Sequence, residues 1–214
     1  MNYSTRLNCR VCQGELEDIL SLGNQHLVGF TLPSVEASES GYPHSEEQPV
    51  YVPLDLVLCS NCHLLQLKHT TKPELLWNEN YGYRSGVNMT MRRELASVVA
   101  SIEALKRLED EDIVVDIGSN DGTLLSCYKK GIIRVGFEPS NNVAEISKPI
   151  LDVLINNFFN AREFQERFQQ KAKVITSIAC FYDLEDPNQF IEDVEAILDP
   201  EGVFVIQQNY LVGM

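Results

Sequence analysis

Four of the six cysteines fall in two short pairs, Cys9-Arg10-Val11-Cys12 and Cys59-Ser60-Asn61-Cys62. A Cys-x2-Cys turn lets two thiolates face one ion at about 2.3 Å, and two such turns supply the ligands of a tetrahedral zinc site. Ligation by four thiolates leaves no open position for water or substrate, so the expected role is structural. Two unrelated reduced pairs, or a redox couple, are the plainer readings of the same residues. The duplication and a reducing compartment favour zinc. His63 directly follows Cys62 and is expected to stand aside while four thiolates are available. The gap between the pairs is long for a compact ribbon, so the second must return across an excursion. Its middle, Ser34 to Gln48, has the composition of an exposed loop.

A second set of groups begins at Val114-Val115-Asp116-Ile117-Gly118-Ser119-Asn120-Asp121-Gly122, an apolar run that ends in an acid and breaks into a glycine-framed turn. Gly118, Ser119, Asn120 and Gly122 let the backbone approach a nucleotide-like ligand, and Asp116 offers a carboxylate at the strand end. Gly136-Phe137-Glu138 closes the next apolar run, twenty residues beyond Gly118. At that spacing an acid can accept both hydrogen bonds of a ribose diol. A dinucleotide site calls for Gly-x-Gly-x-x-Gly, which the Gly118-x-x-x-Gly122 spacing disfavours. Upstream, Tyr81-Gly82-Tyr83-Arg84-Ser85-Gly86 either exposes polar aromatic tips or packs a tyrosine pair at a domain joint.

These groups need elements to hold them. Leu54 to Leu58 and Leu64 to Lys68 read as a hairpin carrying the second cysteine pair at its turn. Pro73 suits a first helical turn ahead of Leu75, Leu76 and Trp77. Residues 87 to 109 give the longest helical pattern, with Met91, Leu95, Val98, Val99, Ile102 and Leu105 recurring at steps of three and four. Beyond it, strands at 113–117, 132–138, 153–155, 174–178 and 203–207 alternate with helices near 122–129, 141–147, 160–170 and 188–198. Such alternation predicts an α/β fold with a parallel sheet. Asp199-Pro200-Glu201-Gly202 reads as the turn into the last strand.

The chain has 214 residues and a net charge of −14, with 17 basic against 31 acidic side chains. That balance argues against a nucleic-acid partner, since phosphate binding depends on clustered Lys and Arg. No run approaches the roughly 18 apolar residues of a membrane helix. The first residues lack the apolar core of a signal peptide, so a cytoplasmic location is expected.

The acidic strand end, the Gly-x-x-x-Gly turn and the Glu after the second strand together resemble class I S-adenosylmethionine-dependent methyltransferases. Joined to the cysteine pairs, the Tyr81-x-Tyr83-Arg84-Ser85-Gly86 stretch and Phe181-Tyr182-Asp183-Leu184-Glu185-Asp186-Pro187, the whole chain resembles the sugar C-methyltransferases, which act on nucleotide-linked keto-deoxysugars. The resemblance implies a Rossmann-like class I core preceded by a small zinc-binding β module, with S-adenosylmethionine and Zn2+ as cofactors. Its implied boundaries are a zinc module over 1–70, a helical connector over 71–110 and the donor-binding domain over 111–214. Asp116, Gly118, Ser119, Asn120, Asp121 and Gly122 would approach the amino-acid part of the donor, and Glu138 its ribose. Asn156, Asn157 and Phe158 would flank adenine, although Phe158 and Phe159 fit a core equally well. Phe181 would lie beneath the sulfonium, where aromatic groups stabilise a cation.

The implied reaction removes a proton beside a ketone and lets the enolate attack the donor methyl, which needs a base and donors for the enolate oxygen. Tyr81 and Tyr83 match the family's sugar-pocket tyrosines, and Arg84 would meet a diphosphate. All four histidines, His26, His44, His63 and His69, lie in the first 70 residues. The family's His-Glu-His segment and its last two strands are therefore expected beyond residue 214, with the base among them. The chain then reads as a fragment of a longer enzyme, or as a truncated protein whose sheet edge, next to Leu211-Val212, is covered by a partner or a second copy. A non-catalytic scaffolding half and a methyltransferase for a macromolecule are the rival functions.

Overall fold

A computed structural model describes residues 2–27 and 50–209. The chain separates into two compact units, Met1–Gly82 and Tyr83–Met214. The expected loop at Ser34 to Gln48 and the Leu211-Val212 edge lie outside the described residues.

Among the described residues the first unit is antiparallel β apart from one short helix. Strand β1 (Tyr3–Thr5) pairs with β5 (His69–Thr71), while β2 (Leu16–His26), β3 (Tyr51–Cys59) and β4 (Leu65–Leu67) form a three-stranded sheet in that order. The expected hairpin corresponds to β3 and β4, paired through Leu56↔Leu67, Val57↔Gln66 and Leu58↔Leu65. The eleven-residue β2 has no counterpart in the sequence reading. Its side chains are exposed almost throughout and its pairing shifts register twice, at Asp18/Leu20 and Ser21/Asn24. A strand without a buried face carries no period-two pattern to find. Helix α1 (Pro73–Leu76) begins at the proline as expected.

The second unit is a five-stranded, wholly parallel sheet in the order β10-β9-β6-β7-β8. The strands are β6 (Ile113–Ile117), β7 (Ile133–Phe137), β8 (Val153–Ile155), β9 (Ala172–Ile178) and β10 (Leu198–Gln207). Strand β6 sits at the centre, and the order turns there: β7 and β8 run out on one side, β9 and β10 on the other. The carboxyl ends of β6 and β9 thus flank the switch point, where doubly wound sheets bind ligands.

Both faces of this sheet are buried, so β6 reads as an unbroken apolar run but for one acid. Ile113, Val115 and Ile117 enter a core with Phe164 of α4 (Ala161–Gln165) and Phe190, Val194 and Ile197 of α5 (Pro187–Ile197). Val114 enters the opposite core with Leu95, Val99 and Ile102 of α2 (Met89–Leu105). Alternation along a strand places Asp116 on the α2 side with Val114. Helix α2 therefore packs within the second unit, where the sequence reading made it a connector. Its N-cap, Asn88, accepts the Thr90 N–H at 2.8 Å.

Helix α3 (Asn141–Ser147) lies where the sequence predicts it. The helix expected over 122–129 is only a 3-10 turn at Leu125–Cys127, because Tyr128 is already extended to feed β7. The expected turn at Asp199–Gly202 is drawn into β10 as an irregularity between Leu198 and Val203. Among the described residues no helix is long and apolar enough to cross a membrane.

Candidate cofactor site and metal centre

The two cysteine pairs adopt one local structure. In each, the residue after the second cysteine is left-handed, Gln13 at φ 59° and His63 at φ 60°, and its N–H donates to the first cysteine's carbonyl at 3.0 Å. The next bond is also matched, with the Cys9 N–H on Gly14 O at 2.9 Å and the Cys59 N–H on Leu64 O at 3.0 Å. The four sulfurs lie within 4.8 Å of one another. Cys9 and Cys62 Sγ are 3.6 Å apart, and Cys12 and Cys59 Sγ are 3.4 Å apart. Tetrahedral ligands at about 2.3 Å stand about 3.8 Å apart, so the cluster has the size of one zinc ion. His63 is not part of it.

Donors surround the sulfurs. Gln66, itself buried, donates its amide to Cys9 Sγ at 3.2 Å, and the Asn61 amide reaches Cys12 Sγ at 3.5 Å. Although burial opposes ionisation, the backbone around Cys12 and Val11 and the Gln66 amide bring the Cys9 thiol down to about 6. The sequence reading missed both amides, because each meets a sulfur of the first cysteine pair, far away in the chain. A side chain at Gly14 would meet Asn61 Cβ at 2.9 Å and Cys59 Sγ at 3.1 Å, so the knuckles close on each other with no space between.

In the second unit the carboxyl ends of β6, β7 and β9 bring the expected residues together. Asp116 is buried and accepts the Thr176 hydroxyl at 2.6 Å. Burial lifts its carboxyl to about 7, with Thr176 opposing and the Glu138 charge adding. Glu138 is held at both oxygens, Oε2 by the Asn120 N–H at 2.9 Å and Oε1 by the Ser140 N–H at 2.8 Å. Burial raises Glu138 against the pull of those donors. A carboxylate has about four acceptor sites, so the pair fixes its direction and leaves capacity for a ligand.

The turn between them is built from left-handed positions, Gly118 at φ 72°, Asn120 at φ 52° and Gly122 at φ 76°. Only glycine adopts such angles without strain, which accounts for Gly118 and Gly122. Ser119 Oγ is buried without a hydrogen-bond partner among the described residues, and it occupies the space that a Cβ on Gly136 would enter at 2.5 Å. Cys180 packs beneath Gly118, where burial pushes its thiol up to about 11.

The remaining expected residues divide. Asn156 donates to the Glu138 carbonyl at 2.7 Å. The Asn157 amide is turned to Glu163 at 3.2 Å, while its oxygen takes the Phe158 N–H at 2.8 Å. The two phenylalanines part company: Phe159 packs edge-on against Phe137 and Phe190, whereas Phe158 is 38% exposed. Phe181 also stacks edge-on against Phe190, and its neighbour Tyr182 is the exposed ring after β9. Tyr83 is 42% exposed in the second unit, while Tyr81 falls in the first.

A family model described as a methyltransferase domain matches residues 87–210, more than half of the chain. The chain belongs to the methyltransferase domain family. A second model, described as a candidate zinc binding domain, matches residues 9–77 and so encloses both cysteine pairs. The C-methyltransferase NovU of Streptomyces niveus is 28% identical over 210 residues, covering 96% of this chain and 48% of that protein. The chain thus spans about half the length of the curated relative it matches. Among solved structures, the plantazolicin methyltransferase BpumL in complex with SAH is 21% identical, covering 54% of this chain and 46% of that chain at a TM-score of 0.45. A SAM-dependent methyltransferase from Thiobacillus denitrificans in complex with S-adenosyl-L-homocysteine is also 21% identical, covering 53% and 47% at a TM-score of 0.42.

The methyltransferase domain and the four-cysteine cluster imply S-adenosylmethionine and zinc as the two bound groups. The residues fit both. Four sulfurs at ligand spacing suit a thiophilic cation, and an oriented carboxylate beside a glycine-framed turn suits a nucleoside with a charged tail.

Proposed function

We propose that this chain is the donor-binding part of an S-adenosylmethionine-dependent C-methyltransferase that acts on a nucleotide-linked keto sugar. The reading is supported above all by the joint occurrence, in one chain, of the four-cysteine cluster and the methyltransferase domain, aligned over 96% of its length with a C-methyltransferase. Under this proposal the zinc module belongs to the unit Met1–Gly82 and the donor domain to the unit Tyr83–Met214, with α2 of the expected connector packed on the donor domain.

Bound S-adenosylmethionine supplies an electrophilic methyl group on a sulfonium. Asp116 holds the charged tail, its carboxylate set at the end of β6. The turn from Gly118 to Gly122 lines the same part of the donor, and Glu138 accepts from the ribose hydroxyls. Asn157 and Phe158 flank the base, and Phe181 supports the floor below the sulfonium. Tyr83, in the donor-binding unit, presents its phenol to the acceptor, where a developing enolate oxygen takes hydrogen bonds.

Incubation of the whole enzyme to which this donor-binding part is assigned with radiolabelled S-adenosylmethionine and a panel of nucleotide-linked keto sugars tests the assignment. Label on a sugar carbon is the expected result. Label found instead on protein or RNA would contradict it.

A further inference from the structure

The Tyr83–Gly86 segment has little regular structure of its own, and the side chains of the donor turn hold it in place. Asn120 Oδ1 accepts the Ser85 N–H at 2.8 Å, and Asn120 Nδ2 donates to the Tyr83 carbonyl at 3.0 Å. Both ends of one amide thus bond to the backbone of one segment, as a neighbouring strand would. Asp121 Oδ2 accepts the Gly86 N–H at 2.9 Å, and its other oxygen takes the Thr123 hydroxyl at 2.6 Å. The fit is close: a Cβ on Gly86 would meet Thr123 Oγ1 at 2.6 Å and Asp121 Oδ2 at 2.8 Å. Arg92, in the first turn of α2, donates to the Gly86 carbonyl from the other side.

The backbone of the same Asn120 faces the opposite way. Its N–H is one of the two donors that orient Glu138, at 2.9 Å. Asn120 also holds a left-handed conformation, φ 52°, which asparagine tolerates better than most residues. A chain of hydrogen bonds therefore runs from Tyr83 through Asn120 to Glu138 and on to Asn156.

We propose that Asn120 is a positioning residue that couples the donor site to the acceptor side: its side-chain amide clamps Tyr83 and Ser85 while its backbone N–H orients Glu138, so that donor binding and fixing of the Tyr83–Gly86 segment favour each other. The role of that segment on the acceptor side rests on the function proposed above. Thermodynamic linkage makes such coupling reciprocal, and couplings of this kind typically change affinity on the order of 5- to 150-fold.

Amide hydrogen exchange at Ser85 and Gly86, measured with and without S-adenosylhomocysteine, tests the coupling alongside calorimetric affinity. In the unmodified protein the ligand is expected to slow exchange at both amides several-fold. In Asn120→Ala the ligand still binds, more weakly, and the protection at Ser85 is lost. Gly86→Ala pushes the segment off Asp121 and Thr123 and, by reciprocity, weakens ligand binding although Gly86 lies outside the donor turn. Asn120→Asp keeps an acceptor for Ser85 but sets a carboxylate oxygen against the Tyr83 carbonyl in place of a donor, so the ligand-dependent protection is expected to fall there too, and the variant carries the same test if the alanine variant does not fold. Binding without protection, or protection that survives in Asn120→Ala and Asn120→Asp, overturns the coupling alone. Absence of any binding to the unmodified protein overturns the donor-site reading, and the coupling falls with it.

Discussion

Glu138 is the residue on which the geometry is most demanding. Both of its oxygens accept backbone N–H groups, so Glu138→Gln must turn an NH2 toward a donor at Asn120 or Ser140. A buried donor left without a partner costs about 1–3 kcal/mol. The variant is expected to melt earlier and to bind S-adenosylhomocysteine at least about tenfold more weakly, as a loss of about 1.4 kcal/mol requires. Asp116 makes a pH prediction. Its folded value near 7 lies above the ordinary 3.8, so its ionisation disfavours the unliganded fold. Stability from this group is complete below about 4, falls as pH rises toward about 7, and changes no further above that. A ligand with an ammonium group favours the ionised form, so affinity for S-adenosylhomocysteine rises through the same window. Asp116→Asn is expected to flatten both dependences, as read by thermal melts and calorimetry across pH 4 to 9. That Asp116, Gly118, Gly122 and Glu138 come together at the carboxyl ends of β6 and β7 was legible from their spacing. Thr176 was not, because the hydroxyl that meets Asp116 is chosen by the pairing of β6 with β9, Asp116↔Thr176. The hold of Asn120 and Asp121 on the Tyr83–Gly86 segment was hidden for a like reason: it joins residues far apart in sequence through backbone atoms that no motif records.

At the scale of elements, the parallel sheet was readable because each strand is a β-branched run bounded by turn residues. All five strands stand close to their predicted places. Helix α2 was readable as a helix but not in its attachment. Its buried Leu95, Val99 and Ile102 show an apolar stripe whichever body it packs on. Here that stripe meets Val114 and Val174 of the sheet and Leu124 and Leu125 of the following turn. Ile102→Ala is therefore expected to destabilise the second unit by about 2–5 kcal/mol, checked by chemical denaturation followed on that unit. Strand β2 escaped for the converse reason, since its exposed faces leave no alternation to detect.

For the whole molecule, the cysteine cluster and the donor site make separate demands. Metal analysis is expected to return about one zinc per chain, because four thiolates form one tetrahedral site. Cys59→Ser is expected to lose that zinc and to unfold the first unit, whose described residues include little buried apolar core beyond Val57 and the ligands Cys9 and Cys59. Folded, zinc-free protein would refute the structural role. The central claim is that the carboxyl ends of β6 and β7 hold the methyl donor. Calorimetric titration of S-adenosylhomocysteine into the unmodified protein and into Asp116→Asn and Glu138→Gln tests it most directly. Saturable binding of one ligand per chain, weakened at least about tenfold in each variant, is the predicted result. Binding that both variants leave unchanged would contradict it.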